Sequence, residues 1–159
     1  MISVKLVCVG KLKESWLSAA CAEYVKRLSR YCRLTVTELA EHTLPEKPSD
    51  AEIASALEKE GAEILKACEG HYVIAACVEG VQLSSEDLSR TLDRLSVEGR
   101  GKVAFVVGSS HGLSDAVKRG ADMRLSASKM TFPHQLFRVM LCEQIYRARK
   151  ISAGEKYHK

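Results

Sequence analysis

The 159-residue sequence has no apolar run approaching the ~20 residues that cross a bilayer. Its opening stretch, MISVKLVCVGKLKES, is only briefly apolar and polar-flanked, which argues against a signal peptide and predicts a first strand. A cytoplasmic protein with no membrane partner is expected. Six cysteines are present, Cys8, Cys21, Cys32, Cys68, Cys77 and Cys142, but no C-x-x-C pair and no clustered histidines. That disfavours zinc and a disulfide framework, so no metal is expected and the thiols are read as reduced and buried. Internal repeats, low-complexity stretches and domain-length linkers are all missing. Residues 1–159 are therefore read as one domain.

The common nucleotide and hydrolase fingerprints are missing too. Gly108-Ser109-Ser110-His111-Gly112 is G-x-x-x-G rather than G-x-G-x-x-G, and no acidic residue about 20 positions on is placed to hold a ribose. Gly10-Lys11 is no Walker loop, and the G-x-S-x-G elbow of serine hydrolases does not occur. Cys142 and His134 share one predicted helix, but their directions differ by about 80°, a poor nucleophile–base geometry.

What is present is alternation. Ile2, Val4 and Leu6 begin a strand that runs through Val7-Cys8-Val9 to Gly10. Trp16, Ala20, Tyr24, Leu28 and Cys32 recur every four residues and mark one face of a helix from Glu14 to Cys32. Arg33–Leu39 predicts a second strand. Ser49-Asp50-Ala51-Glu52 is a capping box opening a helix that ends near Gly70. Tyr72–Val78 predicts a strand buried on both faces, ended by a turn at Glu79-Gly80. Ser84 or Ser85 caps a helix closed by Gly99, and Lys102–Val107 predicts another buried strand. Ser114 caps a short helix to about Arg119, and Met123–Ser126 forms a last strand. Five such alternations predict an α/β fold, a parallel sheet of about five strands flanked by helices. Ligands of such sheets bind beyond the C-terminal strand ends. Three loops qualify: after Ala76, at Gly108–Gly112, and at Ala127–Phe132.

The last quarter organises the rest. A helix start at Thr131-Phe132-Pro133 places proline at the first helical position, and the helix runs to about Ser152 before Gly154. Leu136 and Met140 share one side with Glu143 and Arg147, while Phe137, Leu141 and Ile145 face another way. Apolar residues on more than one side predict burial against the sheet and against a further surface, such as a second copy of the chain. Glu143 and Arg147 also read as a simple i,i+4 ion pair worth roughly 0.3–0.5 kcal/mol. Residues 1–117 carry 14 Lys/Arg against 17 Asp/Glu, whereas residues 118–159 carry 10 against 3. This basic C-terminal part fits a phosphate backbone or a merely solvated face. Tyr157, His158 and Lys159 put a phenol, an imidazole and an ammonium on a short tail, which reads as reactive or as an ordinary inert terminus.

Taken together, F-V-V-G-S-S-H-G-L-S (105–114), L-S-A-S-K-M-T-F-P-H-Q-L-F-R-V (125–139), E-Q-I-Y-R-A (143–148) and the terminal Y-H-K (157–159) closely resemble the RlmH family. V-G-K-L-K-E (9–14), E-Y-x-K-R-L (23–28) and Q-L-S-S-E (82–86) carry the likeness across the whole chain. That family consists of small bacterial SPOUT methyltransferases that methylate pseudouridine at N-3 in helix 69 of 23S ribosomal RNA. The resemblance implies an α/β knot, in which the C-terminal segment threads a loop of its own chain, although general connection rules favour an open sheet. It implies a homodimer acting on ribosomal RNA in the assembled ribosome. S-adenosylmethionine would be held by backbone groups around Ala76, Gly108, Ala127, Ser128, Lys129, Met130, Thr131 and Phe132. The expected catalytic set is Tyr157 and His158 at the target base, His158 taking its proton. Arg138, Glu143 and Arg147 would orient the tail or grip phosphate. Ser109 stands where the family usually has glycine, which predicts strain if that position is left-handed. Val81 replaces a common lysine, and Ala127 a Phe or Leu. A module that binds RNA but has lost catalysis is the alternative, which the intact Glu143, Arg147, Tyr157 and His158 argue against.

Overall fold

Alternate residues of the first strand face opposite sides, and that sorts the whole molecule into two cores. Val4, Leu6 and Cys8 join Val103, Phe105 and Val107 in one apolar cluster, while Val7 and Val9 join Ala104 and Val106 in the other. A computed structural model describes residues 1–157, and His158 and Lys159 lie outside the described residues.

The elements run β1 (Ser3–Val9), α1 (Ser15–Leu28), β2 (Arg33–Leu39), α2 (Asp50–Ala67), β3 (Tyr72–Gln82), α3 (Ser85–Val97), β4 (Lys102–Val107), α4 (Asp115–Gly120), β5 (Met123–Ser126) and α5 (His134–Ser152). The sheet order is β2-β1-β4-β3-β5 and every pairing is parallel, as the alternation of elements predicts. Helices α1, α3 and α5 supply the apolar residues of the first cluster. Helices α2 and α4 supply those of the second. No helix among the described residues is long and apolar enough to cross a membrane.

Local chemistry sets the helix starts. Ser49 Oγ accepts the Glu52 amide at 3.1 Å, which is one half of the expected capping box. The reciprocal box forms instead at α3, where Ser84 Oγ accepts the Asp87 amide at 3.0 Å and the Asp87 carboxylate accepts the Ser84 amide. Pro133 is the N-cap of α5 (φ −54°, ψ 135°), one position before the expected place, and its carbonyl accepts the Phe137 amide.

Three expectations need correction. Helix α1 ends at Leu28, not Cys32, and its buried residues are Leu17, Cys21 and Leu28, which leaves Trp16 exposed. Apolar spacing of four drifts around a 3.6-residue turn, so one register residue over a short helix is enough to misplace the face. Strand β3 does not turn at Glu79-Gly80 but continues to Gln82, with a register shift against β5 between Ala76 and Val81. A Cβ on Gly80 would lie 2.6 Å from the Arg124 carbonyl carbon, so this glycine marks close backbone approach rather than a turn. Finally, α5 spends much of its many-sided apolar surface within the chain. Leu141, Cys142, Ile145 and Ala148 all lie in the core cluster shared with α1 and α3. Leu136 and Met140 remain only half-buried.

Candidate functional site

The middle of β3, where its register against β5 shifts, and the segments beyond β4 and β5 surround one cavity of about 420 Å³, the size of a small-ligand site. Ala76, Cys77 and Val78 form one wall, and Val107 to Ser110 with Gly112 form the second. The third is Ser126, Ala127, Ser128, Met130, Thr131 and Phe132, continued by Pro133, His134 and Phe137 at the start of α5. Lys129 belongs to the same loop but is exposed and off the wall.

Two of the walls have a local cause. Gly112 has a φ of +85°, and its amide donates to the Ser109 carbonyl at 2.9 Å, closing a tight turn. A Cβ on Gly108 would lie 2.2 Å from the Gly112 carbonyl oxygen, so the turn folds back onto a position without a side chain. No non-glycine residue among those described has a positive φ, and Ser109 is buried without the left-handed strain expected of it. The third wall is shaped by serines. Ser126 Oγ donates to the Ser128 carbonyl and the Met130 amide donates to Ser128 Oγ, each at 3.0 Å. His134, at the helix N-terminus, is pushed below the usual imidazole range chiefly by burial, which disfavours its charged form. Cys77 and Ser110 lie in loops that the sequence singled out, whereas Pro133, His134 and Phe137, at the start of α5, were not placed on this wall. Their proximity depends on the loops converging, which no spacing shows.

The cavity suits the cofactor expected there. Small residues (Ala76, Gly108, Ser109, Ser110, Gly112, Ala127, Ser128) line much of it beside apolar Val107, Met130, Phe132 and Phe137, and at Gly108 the turn backbone closes in where a side chain would stand.

A second cluster lies further along α5. Arg147 binds Glu143 through Nε and Nη2, at 2.7 Å for the shortest contact. The Tyr157 hydroxyl donates to Glu143 Oε1 at 3.0 Å, and the Arg147 guanidinium lies 4.7 Å from the Tyr157 ring centroid. The Tyr146 ring meets Tyr157 edge-on at 5.0 Å. Burial, then the Glu143 contact, pushes the Tyr157 phenol above its ordinary range, and Glu143 raises Arg147. Tyr157 therefore acts here as a hydrogen-bond donor. Glu143, Arg147 and Tyr157 thus come together, while His158 lies outside the described residues.

Arg138 does not join them. It is 2 % exposed, with Nη1 donating to Glu38 at 2.6 Å and Nη2 to the Gly10 carbonyl at 2.8 Å. Its two terminal nitrogens tie α5 to the ends of β1 and β2, which sets it apart from the tail cluster within this protomer. Among the described residues no group of three or more His, Cys, Asp or Glu could hold a metal ion, and the six cysteines are free.

Solved structures share this architecture at low sequence identity. A probable methyltransferase from Bordetella pertussis superposes with a TM-score of 0.56 at 15 % identity, covering 93 % of this chain and 96 % of its own. A tRNA (m1G37) methyltransferase from Aquifex aeolicus gives 0.54 at 12 %, over 91 % and 69 %. At such identities they establish the fold alone. Sequence relatives are far nearer. A ribosomal RNA large subunit methyltransferase H from Clostridium acetobutylicum is 50 % identical, over 99 % of this chain and all of its own length. One from Bacillus thuringiensis is 48 % identical over the same shares. The family model described as predicted SPOUT methyltransferase matches residues 2–158, nearly end to end, and with the parallel sheet and the three-loop cavity this makes the chain a member of the SPOUT methyltransferase family.

Proposed function

We propose that this protein methylates N-3 of pseudouridine in helix 69 of bacterial 23S ribosomal RNA, acting in the cytoplasm as a homodimer on the assembled ribosome. The observation that carries the reading is the cavity of three converging segments, in a chain 50 % identical over 99 % of its length to a ribosomal RNA large subunit methyltransferase H.

S-adenosylmethionine supplies an already activated methyl group on a sulfonium. Main-chain groups around Ala76, Gly108 and the 127–132 loop would hold it, with Ala127, Ser128, Met130, Thr131 and Phe132 on the wall and Lys129 in the same loop. The chain's remaining task is alignment of the target base and removal of its imide proton. His158 takes that proton. Tyr157, the residue before His158 in the chain, is held by Glu143. Arg147, cationic and next to the same carboxylate, stabilises the negative charge left on the base.

The two clusters lie apart within one protomer. Phe137 lines the cavity, and Glu143 is six residues further, about 9 Å along the axis at 1.5 Å per residue. Tyr157, at the level of Glu143, is not on the cavity wall. The half-buried Leu136 and Met140 run between the two sites on one side of α5, which supports pairing with a second copy. One protomer's tail then serves its partner's cavity.

The test joins calorimetry with S-adenosylmethionine to mass mapping of ribosomal RNA from cells with and without the gene. Binding, and one methyl lost from helix 69 on deletion, are expected. Absence of binding, or unchanged RNA, overturns the reading.

A further inference from the structure

The C-terminal end of α1 and the last turns of α5 enclose a separate cavity of about 470 Å³, with Tyr31 and Tyr146 on its wall. Two of its cations are committed, Arg27 to Glu23 at 2.8 Å and Lys150 to Glu155. Two are not. Lys26 and Arg30 are exposed and feel Glu23 and Glu155 only at a distance, neither side chain making a hydrogen bond or close ion pair among the described residues. The Tyr146 ring links this cavity to the tail, since it lies 5.0 Å from Tyr157 while also lining the cavity. Tyr31 ties the far side, its hydroxyl donating to the Glu155 carboxylate at 2.9 Å.

We infer that this cavity is a subsite for the phosphodiester backbone of RNA next to the nucleotide held at the tail, gripped by Lys26 and Arg30. The inference rests on the proposed methylation of ribosomal RNA. Alternating cations and aromatic rings is the surface that tracks an unpaired strand, because charge meets phosphate and rings meet bases without regard to sequence. Unpaired loops are also where RNA bases are open to a modifying tail. Lys26 lies in the last turn of α1, where a cation also complements the helix dipole. A dipole role would show as lost stability, and Arg30 lies beyond that turn.

The experiment compares wild type with Lys26→Ala/Arg30→Ala and the charge-retaining Lys26→Arg/Arg30→Lys, using ribosomal particles as substrate at several salt concentrations. The Ala pair is expected to raise KM about tenfold, leave kcat within about twofold, and lower the log–log salt slope by about 1.4, two phosphates at ~0.7 each on a single strand. S-adenosylmethionine affinity and melting temperature stay unchanged, and the charge-retaining pair behaves as wild type. An active wild type whose KM and slope are shared by the Ala pair overturns the subsite and leaves the reaction standing. A loss in kcat or melting temperature with KM unchanged also overturns it. A wild type that binds particles with the steeper slope but transfers no methyl supports the subsite and overturns the reaction instead.

Discussion

Tyr157 and Glu143 are joined by a 3.0 Å hydrogen bond that folds the tail back onto the middle of α5, and Arg147 holds the same carboxylate oxygen at 2.7 Å. One acidic side chain thus positions both a cation and the residue preceding His158. Replacing it with an isosteric amide keeps the shape but weakens both contacts. Glu143→Gln is expected to slow methyl transfer on the order of tenfold or more, the equivalent of one charge-assisted hydrogen bond of about 1.5–3 kcal/mol. Cofactor affinity measured by calorimetry should not change. Equal single-turnover rates for variant and wild type would remove Glu143 from the site.

The same contact has a pH signature. Burial and the Glu143 carboxylate raise the Tyr157 phenol, so the folded state favours its protonated form. A group raised in this way stabilises the fold fully below its ordinary value near 10 and loses that effect as pH climbs through the folded value. The tail contact should therefore persist from neutral pH to about 10 and fail only above it. Titration of tyrosinate absorbance should show a late component that vanishes in Tyr157→Phe. A late component that survives the substitution would assign the shift to another tyrosine.

The cofactor cavity depends on a missing side chain. At Gly108 an added methyl meets the Gly112 carbonyl oxygen at 2.2 Å, far inside contact, and backbone must move. Gly108→Ala is expected to weaken S-adenosylmethionine binding at least a hundredfold, about 2.7 kcal/mol or more. Gly70→Ala is the control. Its φ of +73° makes alanine strained, but the Cβ meets nothing within 4 Å. That variant should lose about 1 kcal/mol of stability and bind the cofactor normally. If Gly108→Ala binds as wild type, the cavity is not the cofactor's.

Most of the architecture was legible because alternation is local. The capping serines Ser49, Ser84 and Ser114, and Gly70, Gly99 and Gly154 at positive φ, stand where the sequence places helix ends. What misled was long-range. Gly80 reads as a turn, yet what excludes a side chain there is the Arg124 backbone, 44 positions on. Trp16 reads as core because its spacing fits, but the buried position is one residue later, at Leu17. Arg138 shares the basic C-terminal part and the family motif with Arg147, and nothing in the sequence says that Glu38 and Gly10 consume it. The partnership of Glu143 and Arg147 was visible at four-residue spacing, whereas their hold on Tyr157 required the tail to fold back.

If each active site takes its cavity from one protomer and its tail from the other, two impaired proteins should restore each other when assayed at limiting S-adenosylmethionine. Gly108→Ala damages the cavity and Glu143→Gln damages the tail cluster. In a mixture that exchanges subunits freely, half of the dimers are mixed. Each mixed dimer pairs one intact cavity with one intact tail and puts both lesions in its second site, so activity should return to about a quarter of wild type. Sites contained within a protomer would give no recovery at any mixing ratio, since every site would still carry one lesion. Recovery should follow the time course of subunit exchange, which mass spectrometry of the mixed dimer measures independently.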